Sequence, residues 1–474
     1  IRVRAKPRFE YASRAPEIIS GSNHIRYVGR QQTLRLTSDA PIDYLMSETP
    51  FLLEGPLDLI LGPDETLLGG VGETARDLEE RTADYWRSWV HRLALPLEWQ
   101  EAVIRAAITL KLCSYEPTGA IVAAMTTSIP EAPGSGRNWD YRFCWIRDSY
   151  FVVRALNSLA AVRTMETYFR WLMNIVAGAP DGRLQPVYGI GLEAALEERI
   201  ISYLPGYRDM GPVRSGNLAY LQDQHDTYGN LVLGAAQVFF DRRLFMSAGL
   251  TEFQRLETVG EQAYRLYDKP DAGIWELRTR ARPHTSSAVM SWAGCDRLAK
   301  VARHLGLVER ATLWRSRADE IRRVVLERCW SHKRKAFVES FDGTNLDASA
   351  LLMGEVGLIE ARDPRFVSTV DALQTTLGRG PFMMRYEEAD DFGTPETAFN
   401  VCAFWQLDAL SRIGRREEAR ESFEALLSAR NSLGLMSEDT DSSTREPWGN
   451  FPQTYSMVGI INGAVRLSDP WETA

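Results

Sequence analysis

From Leu97 to the C-terminus, apolar residues recur at three- and four-residue spacing in segment after segment, with almost no alternating stretch between them. A chain written this way must bury the apolar stripe of each helix against other helices. Capping and periodicity cues predict about twelve helices, starting near Glu98, Asp148, Thr164, Tyr228, Thr251, Ser287, Glu309, Asp347, Pro364, Glu396, Arg416 and Pro452. Six hairpins of inner and outer helices would close into an (α/α)6 toroid, with an apolar inner ring and loops gathered into a funnel at one end. An α-solenoid is the rival architecture. It needs a repeated sequence unit, and none of the usual periods occurs. The connecting loops are instead long, unequal and rich in Trp, Asp, Glu, Arg and Gly, as suits the rim of a site.

The N-terminal residues have a different texture. IRVRAKPRF and TLRLTSDAPIDYL alternate, and LDLILGPDETLL reads as two short strands about a turn. Residues 1–75 are therefore expected to form a β-sandwich segment, incomplete at its N-terminus. Residues 76–97 are expected to be a linker helix and 98–474 an (α/α)6 barrel catalytic domain. The fold class expected for the whole is mainly α. GGVGE at Gly69–Glu73 lacks the spacing and the βαβ context of a nucleotide-binding loop.

Length and charge narrow the function. A chain of 474 residues suits two units, or one large barrel with an appendage. Its net charge is -8, and its 55 Lys and Arg form no run, which argues against nucleic acid or an anionic membrane surface as partner. The longest apolar stretches are too short or too interrupted to cross a bilayer. The five cysteines have no CxxC spacing and read as buried free thiols, and the six histidines have no ligand spacing. No metal and no cofactor is expected, and the expected location is cytoplasmic.

Five loop-rich segments combine carboxylates with Trp or Tyr, as a sugar site requires: flat apolar faces for ring C–H groups and planar partners for hydroxyls. They include GSGRNWDYRFCWIRD, AGIWELRTRARPHTSS and GLMSEDTDSSTREPWGNFPQ. Glycoside hydrolysis needs one protonated carboxyl at the leaving oxygen and one ionised carboxylate. Glu276 follows Trp275, which is expected to wall it from water and keep it protonated, so it is the acid candidate. Glu438 lies in an acidic polar loop, expected to be wetter, and is the base candidate. Arg147 offers a donor fork and Asp148 an acceptor for vicinal hydroxyls; the alternative for Asp148 is a helix cap. Trp139, Tyr141, Trp275 and Trp448 are candidates for substrate contact. Trp145 and Trp405 sit in apolar surroundings where core packing is an equal account.

The stretches RNWDYRFCWIRDSYFVVRAL, GIWELR, SAVMSWAGCDRLAKVA, FNVCAFWQLDAL and the Glu438 loop ending GNFPQTYS, in that order, resemble the bacterial branch of glycoside hydrolase family 15, the glucoamylase, glucodextranase and trehalase family. The resemblance covers about Glu98 to Ser468. It implies that Glu276 is the general acid, that Glu438 is the general base, and that Arg147 and Asp148 grip the non-reducing-end glucose. It also implies inversion, with β-glucose released from α-linked substrates. The sequence departs from the family at HTSSAVM (His284–Met290), where Ser286 and Ala288 replace a His and a Lys, and this change is expected to alter the acceptor side. The leading expectation is an exo-acting, glucoamylase-like α-glucoside hydrolase taking oligosaccharides or disaccharides. The alternatives are an α,α-trehalase of the same family and, third, an inactive carbohydrate-binding descendant.

Overall fold

The alternating residues near the N-terminus become an antiparallel sheet. Its strands are β1 (Glu17–Ser20), β2 (His24–Val28), β3 (Thr33–Ser38) and β4 (Leu59–Pro63), paired in that order. Between β3 and β4 the chain forms α1 (Ile42–Met46), and after β4 it enters α2 (Val71–Val90). Ile25 pairs with Leu36 across β2 and β3, and these two with Phe9, Tyr27, Ala40, Ile42 and Leu45 make a small core. The alternation puts Ile25 and Tyr27 on one face, as period-two patterning demands. The computed structural model describes residues 1–245 and 247–473. Among the described residues of this first unit, Ile1–Arg92, there is one sheet, without the second sheet that a sandwich requires.

The second unit, Leu93–Ala474, is helical. Its first six helices are α3 (Gln100–Leu112), α4 (Ile146–Ser158), α5 (Val162–Gly178), α6 (Asp226–Ala236), α7 (Leu250–Leu266) and α8 (Thr285–His304). The next six are α9 (Val308–Arg328), α10 (Leu352–Val356), α11 (Pro364–Leu377), α12 (Asn400–Arg412), α13 (Arg416–Leu427) and α14 (Thr454–Leu467). The even-numbered helices close a ring: α4 packs on α6, α6 on α8, α8 on α10, α10 on α12, α12 on α14, and α14 back on α4. The odd-numbered helices lie outside it, each against inner neighbours. Composition follows position. In α6 every residue is buried, whereas α9 buries five of its 21, which is the contrast expected between a helix inside a ring and one facing solvent.

Glycine sets the closest approach in the ring. A Cβ on Gly229 of α6 would lie 2.0 Å from the carbonyl oxygen of Met290 on α8, and one on Gly294 would meet the Cα of Gly229 at 3.1 Å. The two backbones therefore touch, and the first turns of α8 are locked in the core. All five cysteines are buried and free. No helix among the described residues is long and apolar enough to cross a membrane.

Candidate active site

The N-terminal parts of α4, α12 and α14, with the loops between helices, line one cavity of about 920 Å³ of free space including its mouth, within the range of small-ligand sites. Arg147 and Asp148 enter it from the start of α4, Tyr455 from the start of α14, Trp275 and Glu276 from the loop before α8, and Glu438 from the loop before α14.

Glu276 sits in a tight turn. Gly273 and Glu276 have positive φ, +68° and +59°, and the amides of Glu276 and Leu277 donate to the carbonyls of Gly273 and Ala272 at 3.2 and 3.0 Å. The left-handed region costs a non-glycine residue about 1–2 kcal/mol, so the surroundings must impose it. They do so through Gln222 Nε2, which donates to the Glu276 carbonyl at 3.0 Å. Asp271 anchors the start of the loop by accepting from the His225 amide and from Ser287 Oγ, both at 2.7 Å. On the carboxylate, Trp145 Nε1 donates to Oε1 at 2.6 Å and Arg147 Nη2 to the same oxygen at 3.2 Å. The indole that touches the carboxylate is thus Trp145, as a hydrogen-bond donor, and not Trp275. Trp275 lines the cavity, but its indole N–H donates to Asp347 at 2.6 Å and its ring packs against Tyr386, Phe399 and Trp405.

Glu438 is held by backbone on both sides: its amide donates to the Asn450 carbonyl at 3.2 Å, and its carbonyl accepts from the Asn400 amide at 3.0 Å. The expectation of a wet setting is corrected, because Glu438 is only 2% exposed. The three-stranded ribbon of Ala398–Phe399, Asp439–Thr440 and Pro447–Trp448 folds its loop inward. Tyr141 donates to Glu438 Oε1 at 2.7 Å. Burial, and then the charges of Glu131 and Asp439, push the Glu438 carboxyl well above the usual carboxylate range. Burial also holds the Tyr141 phenol high, with Glu438, Glu131 and Glu276 adding to the effect. Tyr141 and Trp145, the rings that hold the two glutamates, meet edge to face with centroids 5.4 Å apart.

Arg147 is braced on all sides. It donates to Gln224 at 3.1 Å and pairs with Asp226 and Asp148 at 3.5 Å and with Glu276 at 3.2 Å. Although burial opposes its charge, Asp226, Asp148 and Glu276 keep its guanidinium above the ordinary range. Asp148 does not cap α4: the cap position is Trp145, whose side chain makes no capping bond. Asp148 Oδ2 is buried without a hydrogen-bond donor, and burial raises its carboxyl to about 6. Such an acceptor in a cavity wall, with only the Arg147 Nε ion pair at 3.5 Å and no hydrogen bond, suits a ligand hydroxyl.

The structure brings Glu276, Glu438, Arg147, Asp148, Trp139, Tyr141 and Trp275 to one cavity but leaves Trp448 out of its lining. The Trp448 ring is 3% exposed, edge-on to Tyr207 and under the Arg208 guanidinium. Trp139 is half-buried in the cavity lining. Its ring carries the guanidiniums of Arg278 and Arg214 at 4.5 and 5.2 Å, and its N–H donates to Glu131 at 2.7 Å. The HTSSAVM segment is also displaced from its expected role: Ser286 and Ala288 are buried at the start of α8 and do not line the cavity. Sequence reasoning passed over Trp145 as an equal candidate for core, and it passed over Glu131, Arg385 and Asp439 altogether. Among the described residues no group of three or more His, Cys, Asp or Glu side chains could hold a metal ion.

A ring of six helical hairpins with a polar cavity at one mouth is the helical toroid of the glucoamylase fold. A bacterial glucoamylase solved with acarbose superposes with a TM-score of 0.67 at 14% identity, over 94% of this chain and 73% of that one. The chain belongs to glycosyl hydrolases family 15, whose family model matches residues 99–465. It is 37% identical to a trehalase of Thermoplasma volcanium over 391 residues, 82% of this chain and 62% of that protein. It is equally 37% identical to a trehalase of Mycolicibacterium smegmatis over 402 residues, 83% of this chain and 59% of that protein. The chain thus spans about three-fifths of the length of these relatives.

Proposed function

We propose that the protein is an inverting α,α-trehalase, with Glu276 as general acid and Glu438 as general base. The observation that carries the substrate is the identity to two trehalases over four-fifths of this chain. It favours the trehalase alternative over the glucoamylase-like expectation, whose solved neighbour shares only the fold. Arg147 and Asp148 hold hydroxyls of the glucose whose C1 reacts, Asp148 Oδ2, which makes no hydrogen bond within the protein, accepting from one of them. Glu276 gives its proton to the bridging oxygen as the C1–O bond breaks and the bonding electrons pass to that oxygen. Glu438 takes a proton from a water whose oxygen bonds to C1 on the opposite face. Inversion requires carboxyls about 6.5–9.5 Å apart. The attachment of the two glutamates to different rings of the Tyr141–Trp145 pair supports such separated roles.

Five buried free thiols fit a reducing, cytoplasmic setting.

Inversion at one C1 of trehalose releases β-glucose from the attacked ring and α-glucose from the departing one. Proton NMR in the first minutes of hydrolysis should therefore show equal amounts of the two anomers. α-Glucose alone would mean retention and sink the mechanism. Trehalose should be turned over more than about tenfold faster than maltose, the discrimination one misfitted ring position supplies. A faster rate on maltose would restore the glucoamylase-like reading.

A further inference from the structure

Asp439, next to the base candidate, has no part in the mechanism above. It is 0% exposed and lies in the strand Asp439–Thr440, which pairs on both edges. Two oxygens of the adjacent acids, Glu438 Oε2 and Asp439 Oδ2, are buried without any hydrogen-bond partner. They border the same small space, because a Cβ on Gly449 would lie 3.0 Å from the first and 3.3 Å from the second. With Gly449 at φ +77°, no side chain fills that space. Two ionised carboxylates whose oxygens face one small gap repel strongly, and burial adds to the penalty.

The nearby donors show which acid keeps a proton. Tyr141 has a single O–H, and it points at Glu438 Oε1 from 2.7 Å. Thr397 also has a single O–H, yet its oxygen lies 2.8 Å from the Glu131 carbonyl and 3.1 Å from Asp439 Oδ1. A carbonyl only accepts, so the Thr397 proton belongs to Glu131 and the contact with Asp439 is left without one. A proton on Asp439 completes it, with the carboxyl O–H donating to Thr397 Oγ1. The nearby arginines make their hydrogen bonds to other carboxylates, and Arg385 Nε makes none. Arg385 binds the Glu131 carboxylate, which also accepts from Trp139, and Arg137 makes a two-pronged pair with Asp390.

We propose that Asp439 is a positioning residue that stays protonated beside the base, donating to Thr397, so that Glu438 carries the only negative charge of the pair and is free to accept a proton from water. Burial and the charge of Glu131 lift both carboxyls of the pair; a neutral Asp439 spares Glu438 the further rise that an ionised neighbour causes, and Tyr141 and Arg385 favour the Glu438 charge. The inference rests on Glu438 being the base. Because the base must be ionised, a neutral Asp439 keeps the acidic limb of the pH profile low and a charged one would raise it.

Difference infrared spectroscopy of the full chain locates the proton. A protonated-carboxyl C=O band of the wild type should vanish in Asp439→Asn and persist in Glu438→Gln. No loss in the first variant, or loss in the second instead, overturns the proposal. In kinetics, Asp439→Asn, a neutral amide that still donates to Thr397, should keep kcat within about fivefold and leave the acidic limb of kcat/KM in place. A downward move of about one pH unit or more would show that Asp439 was charged and overturn the proposal. Thr397→Val removes the acceptor of that proton and should raise the limb by about one unit. The double variant Thr397→Val with Asp439→Asn should return it; an unmoved limb in Thr397→Val overturns the proposal. Turnover surviving in Glu438→Gln would instead refute the role of the base, while the infrared result would still report on the pair.

Discussion

Glu276 occupies a backbone conformation that glutamate disfavours, and three independent bonds, from Gln222, Trp145 and Arg147, hold it there. Strain retained at a cavity wall marks a side chain whose direction matters more than its local stability. Glu276→Gln preserves the shape and the Oε1 acceptor for Trp145 but removes the transferable proton. We expect kcat to fall by about 10²–10⁴, with KM and melting temperature nearly unchanged. A kcat within tenfold of wild type on trehalose would take Glu276 out of the reaction. The candidate glutamates were legible because each stands in a distinctive run, GIWELR or LMSEDTD. Their partners were not, since Trp145, Glu131 and Asp439 acquire meaning from a bond to a residue far away in the chain. Trp145 reaches Glu276 across 131 positions, and Thr397 reaches Asp439 across 42. The setting of Glu438 was misjudged for the same reason: an acidic loop reads as wet until a ribbon folds it inward.

At the scale of elements, the period of 3.6 carried nearly all the helical information. Twelve helices stand close to the twelve expected starts, and the deviations have local causes. Near Asp347 the chain makes a 3₁₀ turn, Ala348–Leu351, with the Asp347 side chain accepting from the Ser349 amide, before only five residues of α10. Near Glu396 the helix waits until Asn400 because Ala398–Phe399 pairs with the Glu438 ribbon. Two-residue strands have no period to read. Tight packing between helices is also silent in sequence, since the glycines that permit it look like poor helix formers. On an isolated helix Gly229→Ala would gain about 1 kcal/mol. Here its Cβ would press on the Met290 carbonyl at 2.0 Å, so backbone contact outweighs propensity. We expect a net loss of about 1–3 kcal/mol in denaturant unfolding. Because α8 begins just after the Glu276 turn, kcat should fall with it. An equally or more stable variant would show that α6 and α8 can separate freely.

For the molecule as a whole, the toroid buries carboxyls around its cavity, and this couples stability to pH. Asp271 lies behind the Glu276 turn, with Oδ1 unpartnered, and burial raises it to about 7. Asp148 and Asp347 are each raised to about 6 by burial. An acid raised in the folded state binds a proton on folding. Its stabilising share is complete below the unfolded value, about 4, and disappears as pH climbs through the folded value. For Asp271 that window runs from about pH 4 to about pH 7, with a slope approaching about 1.4 kcal/mol per pH unit. Carboxylates lowered by arginine partners, such as Glu98 and Asp363, act in the opposite sense, losing their contribution only as pH drops below about 4. Between pH 5 and pH 7.5 the buried acids therefore dominate, and urea midpoints should decline as pH rises. Asp271→Asn keeps an oxygen for the His225 amide and Ser287 but has no proton to lose. It should gain on the wild type steadily across this range. A stability difference that stays constant from pH 5 to 7.5 would mean that Asp271 does not titrate with folding.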